Sequence, residues 1–138
     1  MSIEAIIEDF SLLDDWEDRY RYVIELGREL PPLPEAERTE ANKVRGCASQ
    51  VWLASERRGN GKPVLAFRGD SDALIVRGLI AILLQIYSGR SPEEIAATDP
   101  EAAFSALGLR GHLTAQRANG LAAMVARIKS DAQAALAA

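Results

Sequence analysis

The chain has few of the residues that form disulfides and metal sites. Its 138 residues include a single cysteine, Cys47, and a single histidine, His112. One cysteine cannot form an internal disulfide, and the common metal-binding spacings need two or more Cys or His ligands close together in the sequence. We therefore predict no metal ligands and interpret Cys47 as a free thiol in a reducing compartment.

The sequence also lacks a large charge excess, an export signal and a long apolar run. Its 16 basic and 20 acidic residues give a net charge of -4, which offers no general attraction for nucleic acid or an anionic membrane. No basic segment precedes an apolar stretch at the start, and the most apolar segment, 73–87, is shorter than the roughly 20 residues that span a bilayer. We predict a cytoplasmic protein with no nucleic-acid or membrane partner.

What the sequence does contain is enough apolar residues for one core. A hydrophobic content of 48% over 138 residues supports one domain, spanning 1–138, with no room for a second of normal size. Apolar residues recur at helical spacing in two segments before the proline-rich stretch 30–34 and in four segments after residue 72. Gly78, inside the most apolar helix, is predicted to mark the close approach of another element.

Between the two groups of helices the pattern changes to that of a β-hairpin. Strands are predicted over 50–57 and 64–68, joined by Gly-Asn-Gly at 59–61, and a short third strand near 42–45 stays open. Because a two-stranded hairpin is not stable alone, helices must cover it. We predict the α+β class, with a small antiparallel sheet packed against helices, and we expect Asp70 and Asp72 to cap the helix that follows.

Cys47 lies in the loop before the first strand, within Val-Arg-Gly-Cys-Ala-Ser-Gln-Val-Trp-Leu at 44–53. Gly46 permits a positive φ, and the small Ser49 leaves the far side of the cysteine uncrowded. A lone cysteine is often a small buried apolar residue, whereas a cysteine on such a loop can serve as a nucleophile. A peptidase-like pair would need His112 as its base and a third orienting group, and nothing in the spacing requires that pair.

Several segments resemble the SufE family of cysteine desulfuration proteins, in the same order over nearly the whole chain. They are 44–53, Gly-Asp-Ser-Asp-Ala at 69–73, Val-Arg-Gly-Leu-Ile-Ala at 76–81, and His-Leu-Thr at 112–114 with Arg117 and Gly-Leu at 120–121. One small departure is Ala115, where many relatives have proline. The SufE family shares its fold with a related branch, CsdE, the sulfur acceptor of the Csd system, and both branches stay open.

The resemblance implies a sulfur acceptor whose fold is similar to that of the U-type cluster scaffold, NifU. It implies that Cys47 takes sulfur from the persulfide of a PLP-dependent cysteine desulfurase of the SufS or CsdA type and raises its turnover. The sulfur then passes as a persulfide toward the Suf scaffold that builds iron–sulfur clusters. PLP belongs to the partner, so this chain needs no cofactor. Exchange of sulfur between thiols requires one accessible cysteine and neither a metal nor an acid–base pair, which agrees with the residues present.

Other residues are expected to support the loop or to contact the partner: Gly46, Ser49, Asp70, Asp72, His112 and Arg117. We expect Cys47 to rest facing the apolar interior and to turn outward on docking. The protein is then a transfer partner rather than a stand-alone enzyme. Two alternatives remain, a non-catalytic adaptor domain of the same fold and a thiol peptidase. The sequence is compatible with a homodimer as well as with a monomer.

Overall fold

The computed structural model describes residues 2–46, 49–59 and 61–137, apart from the side chain of Arg110. This part of the chain forms two β-strands and six α-helices, in the α+β arrangement that the sequence predicts. The elements in order are α1 (Ile3–Ser11), α2 (Trp16–Glu29), β1 (Val51–Arg58), β2 (Val64–Ser71), α3 (Leu74–Tyr87), α4 (Pro92–Ala97), α5 (Glu101–Leu107) and α6 (Ala115–Ala137), with short 3₁₀ turns at Glu35–Glu37 and Leu109–Gly111.

The two strands pair antiparallel, in a register that runs from Val51 opposite Ser71 to Arg58 opposite Val64. The second strand is longer than predicted, because Gly69–Ser71 continue the pairing with β1 instead of forming a turn. The predicted connection between the strands includes Asn60, which lies outside the described residues. The short third strand left open near 42–45 is not formed, and a β-bridge between Lys43 and Trp52 stands in its place. The segment before the cysteine loop therefore contacts β1 without extending the sheet.

Two helices begin where local capping signals indicate. Asp15 caps α2 by accepting a hydrogen bond from the backbone N–H of Glu17 at 2.9 Å. Ser91 begins α4 with a capping box, in which its hydroxyl and the side chain of Glu94 bond reciprocally to each other's backbone N–H. These caps satisfy backbone donors that the first turn of a helix leaves unpaired.

One cluster of buried apolar side chains joins all these elements, and α3 contributes most to it. It includes Ile6 of α1, Val51 of β1, Ile80 of α3, Phe104 of α5 and Ile128 of α6, all at most 1% exposed. No helix in the described part of the chain is both long and apolar enough to cross a membrane.

Helices α2 and α3 pack at very short distance through two glycines. A Cβ atom built on Gly78 would overlap the backbone carbonyl of Val23, and one built on Gly27 would lie 2.8 Å from the backbone nitrogen of Gly78. The close approach predicted at Gly78 is confirmed. The two backbones are in direct contact here, so no flexible side chain can move away to make room.

A Gly78→Ala protein is therefore expected to lose stability, because the added methyl group must separate α2 from α3. Overpacking of this kind costs about 2 kcal/mol. Gly111→Ala is the matched control, since a Cβ built on Gly111 meets no atom within 4 Å. Urea unfolding followed by circular dichroism measures both, and equal midpoints for the two variants would contradict the close packing.

Candidate functional site

Cys47 and Ala48 lie outside the described residues, so the loop is defined by the residues on either side. The chain enters the loop at Gly46, whose φ is 92°, a positive value that glycine permits. A Cβ atom at Gly46 would lie 3.5 Å from the Cβ of Ala123 on α6. The entry to the cysteine loop therefore passes close to the middle of α6.

Arg127 of α6 stabilises this entry. Its guanidinium donates to the backbone carbonyl of Lys43 at 3.5 Å and to that of Leu53 in β1 at 3.3 Å, and its Nε donates to Asp131 at 3.1 Å. Arg127 and Asp131 lie one helical turn apart on α6. Both are largely buried, and the only sequence signal for their pairing is the four-residue spacing that brings side chains together on a helix.

Asp72 stabilises the exit from the loop and does not cap a helix. Its side chain accepts a hydrogen bond from the backbone N–H of Gln50 at 3.1 Å, and its own N–H donates to the carbonyl of Gln50 at 3.3 Å. The N-cap position of α3 is Ala73, which supplies no side-chain bond. The prediction that Asp72 is a cap is wrong, because β2 runs further than expected and leaves Asp72 beside the loop.

The prediction of a cap is also wrong for Asp70, which is fully buried in β2. Its carboxylate accepts from the backbone N–H groups of Leu33 and Ser71 at 3.0 and 2.8 Å, and it forms ion pairs with Arg38 at 2.7 Å and with Arg77. Burial alone would raise the pKa of Asp70, but these two N–H groups and the two guanidinium groups outweigh it and hold the pKa below its usual value.

A small cavity of about 220 Å³ lies beside the loop, between α3 and α6. Its lining includes one residue of the loop, Ser49, together with Val76, Leu79, Thr114, Gln116, Arg117, Gly120, Leu121 and Met124. Pockets for drug-sized ligands measure about 300–1,000 Å³, so this space suits a group of a few atoms. Of the predicted site residues, the cavity brings together Ser49 and Arg117.

Arg117 is the one cation that lines this cavity among the described residues. It belongs to the first turn of α6, where its backbone N–H donates to the hydroxyl of Thr114 at 3.2 Å, so Thr114 caps the helix. Among the described carboxylates, none forms an ion pair with the Arg117 guanidinium. Its charge and the positive end of the helix dipole therefore both favour an anion at the cavity.

His112 takes no part in lining the cavity. Its ring stacks on the indole of Trp16 in α2, with centroids 3.7 Å apart and an interplanar angle of 14°. Its Nδ1 lies 3.1 Å from the carbonyl oxygen of Gly108, and its own carbonyl accepts a hydrogen bond from the hydroxyl of Tyr20. The structure thus places His112 in contact with α2. Sequence analysis missed Trp16 as a neighbour of the site, because the contact joins distant parts of the chain.

These features define a class of small α+β protein. It has one cysteine in its sequence, and the loop before its first strand borders a small cavity whose lining includes one cation, Arg117. The family model for SufE, described as an Fe-S metabolism associated domain, matches residues 4–132. The chain belongs to the SufE family and hence to proteins of Fe–S metabolism, as the resemblance of its segments predicts.

Individual relatives agree with this assignment. The chain is 56% identical over 133 residues to an uncharacterised SufE-like protein of Rhizobium meliloti, covering 96% of this chain and 95% of the relative. It is 57% identical over 133 residues to another from Rhizobium etli, covering 96% and 90%. The solution structure of a hypothetical protein from Thermus thermophilus matches with a TM-score of 0.75 and 22% identity over 100% of both chains, which indicates a common fold.

Proposed function

We propose that this protein accepts sulfur on Cys47 from the persulfide of a PLP-dependent cysteine desulfurase of the SufS or CsdA type, and passes it toward an Fe–S scaffold. The observation that supports this most strongly is the cavity between Ser49 and Arg117. Ser49, which lines the cavity, is two residues from Cys47 in the sequence, a separation that extended chain covers in at most about 7 Å.

The proposed step is a thiol exchange. The Cys47 thiolate attacks the outer sulfur of the desulfurase persulfide, the bond between that sulfur and the enzyme's cysteine breaks, and the enzyme's cysteine leaves as a thiolate. One S–S bond forms and one breaks, so no external oxidant or reductant is consumed. The product on Cys47 is a persulfide, which carries a negative charge when it is deprotonated.

The cavity offers what such a product needs. Its volume of about 220 Å³ accommodates one additional sulfur atom, and apolar side chains from α3 and α6, such as Leu79, Leu121 and Met124, form part of its lining. Arg117 supplies a positive charge that no described carboxylate neutralises. Attraction between opposite charges is stronger beside apolar side chains than in bulk water, so the site favours the anionic form of the acceptor sulfur.

The direct test is intact-mass spectrometry after incubation with the desulfurase and free cysteine. The expected result is a gain of one sulfur atom that a reducing agent removes and that peptide mapping locates at Cys47. Omission of the desulfurase is the control and leaves the mass unchanged. If the mass never increases while the desulfurase is turning over, the proposal is wrong.

Replacing Arg117 with methionine is expected to slow sulfur gain by about tenfold, the loss of roughly one charge-assisted contact. Methionine retains the apolar contacts of the long side chain but removes the charge. An Arg117→Lys protein keeps the charge and is expected to recover most of the rate. The measurement is the initial rate of sulfur gain by mass, and equal rates for the methionine and lysine variants would show that the charge does not contribute.

A further inference from the structure

Thr114, Gln116 and Arg117, at the start of α6, line the cavity. The side chains of this first turn do not anchor it in the hydrophobic core. Each of the five residues from Ala115 to Asn119 is exposed or half-buried, and the first buried residue of the helix is Gly120. Contacts from outside the helix must therefore hold this turn in place. If the first turn frayed, the positions of the cavity residues Thr114, Gln116 and Arg117 would vary.

The segment that precedes α6 packs on the core through Leu109 and Leu113 and also contacts α2 through His112. The ring of His112 covers the indole of Trp16, and the hydroxyl of Tyr20, one helical turn further along α2, donates to the carbonyl of His112. The contact between Nδ1 of His112 and the carbonyl of Gly108 fixes the orientation of the ring. Gly108 itself has a φ of 67°, and a Cβ atom there would come within 3.1 Å of the Trp16 ring.

Trp16 also contacts Arg19 and the end of α1. The guanidinium of Arg19 lies 5.2 Å from the centroid of the Trp16 ring and donates to the backbone carbonyls of Leu13 and Phe10, at the end of α1. Phe10 packs edge-on against the same indole, with centroids 6.4 Å apart. Trp16 is thus held by contacts with Phe10 and Arg19 while its ring stacks with His112.

From these contacts we infer that Trp16 and His112 are positioning residues for sulfur transfer. Their stack fixes the 108–114 segment against α2, and this in turn fixes Thr114 and Arg117 at the cavity. Neither Trp16 nor His112 lines the cavity, so both act through the first turn of α6. The expected effect on sulfur transfer rests on the proposed function. The effect of the stack on the position of the first turn of α6 depends on this chain alone.

The experiment has a structural arm and a functional arm, each applied to His112→Ala and His112→Phe. Phenylalanine keeps a flat ring over Trp16 and alanine removes it. In the structural arm, hydrogen exchange of the amides of 115–119 is expected to be about tenfold faster in the alanine variant, and the phenylalanine variant restores most of the protection. In the functional arm, the rate of sulfur gain at saturating desulfurase falls by about tenfold in the alanine variant and recovers with phenylalanine.

Ser91→Ala is the control for lost stability, because it removes the capping box of α4 and does not touch the cavity. It is expected to lower the melting temperature without changing exchange at 115–119 or the rate of sulfur gain. Unchanged exchange at 115–119 in His112→Ala overturns the inference whether or not sulfur is transferred. A wild-type protein that gains no sulfur overturns the proposed function and the functional consequence of the stack, while exchange still reports the positioning. If the rate of sulfur gain falls in proportion to the loss of melting temperature, and by the same proportion in Ser91→Ala and His112→Ala, the inference is also overturned.

Discussion

A Cys47→Ser protein is expected to gain no sulfur and to leave desulfurase turnover at the level seen without it. A serine hydroxyl is not ionised near neutral pH and does not exchange with a persulfide, so the change removes the only thiol of the chain and with it the acceptor. The two readouts are intact mass after incubation with the desulfurase and cysteine, and the rate of alanine formation by the desulfurase.

The substitution exchanges one small side chain for another, so folding and docking are expected to persist. Cys47→Ser protein added in excess should therefore compete with the wild type and reduce its stimulation of the desulfurase. Leu12→Ser is the control, because Leu12 is 76% exposed and distant in sequence from the loop. It is expected to behave as the wild type. Stimulation that survives in Cys47→Ser would contradict the proposal and favour the adaptor domain, in which binding alone changes the partner.

Features with local causes could be predicted from the sequence. The positive φ of Gly46 and the cap at Ser91 each follow from the residue itself or its neighbours, and the structure has both. A glycine inside an apolar helix likewise predicts a close approach at Gly78, but the sequence does not say that the partner is Val23 of α2. Helix periodicity and capping residues act over three or four positions, which a single sequence contains. The same is true of the family's segments, which are short and contiguous.

Features that depend on distant partners could not be predicted. Asp70 resembles a cap, because an acidic residue shortly before a helix usually is one. Its actual partners include Leu33 and Arg38, 37 and 32 residues away. The bonds from Arg127 to the carbonyls of Lys43 and Leu53 cross 84 and 74 residues. Sequence periodicity contains no information about contacts of this length, so Asp70 was interpreted as a cap and the role of Arg127 was not predicted.

Asp70 is also the residue whose loss is expected to cost most stability. Its buried carboxylate joins β2 to the proline-rich segment through Leu33, and to α3 through Arg77, which donates in turn to the carbonyls of Gly27 and Leu30 at the end of α2. Removing one partner of such a pair leaves the others buried without compensation, which costs about 3 kcal/mol or more.

The acid dependence of this contribution has a definite sign. Because the pKa of Asp70 is lower in the folded protein than its usual value, the folded state favours the ionised carboxylate. The stabilisation is fully present above the unfolded pKa of about 3.9, and it is lost as the pH falls through the lower pKa of the folded state. The wild type and a variant without this carboxylate should therefore differ most near neutral pH and converge in acid.

Asp70→Asn is the sharpest form of the test, because asparagine keeps the shape and one acceptor oxygen while removing the charge. Its melting temperature at pH 7 is expected to fall by about 10 °C, the equivalent of about 3 kcal/mol in a domain of this size. Glu56→Gln is the matched control, since Glu56 forms exposed ion pairs with Arg58 and Arg68, and exposed pairs contribute little. Calorimetry from pH 7 to pH 3 measures both variants. A constant difference between wild type and Asp70→Asn over that range would show that the charge of Asp70 does not stabilise the fold, and that its contacts act through shape alone.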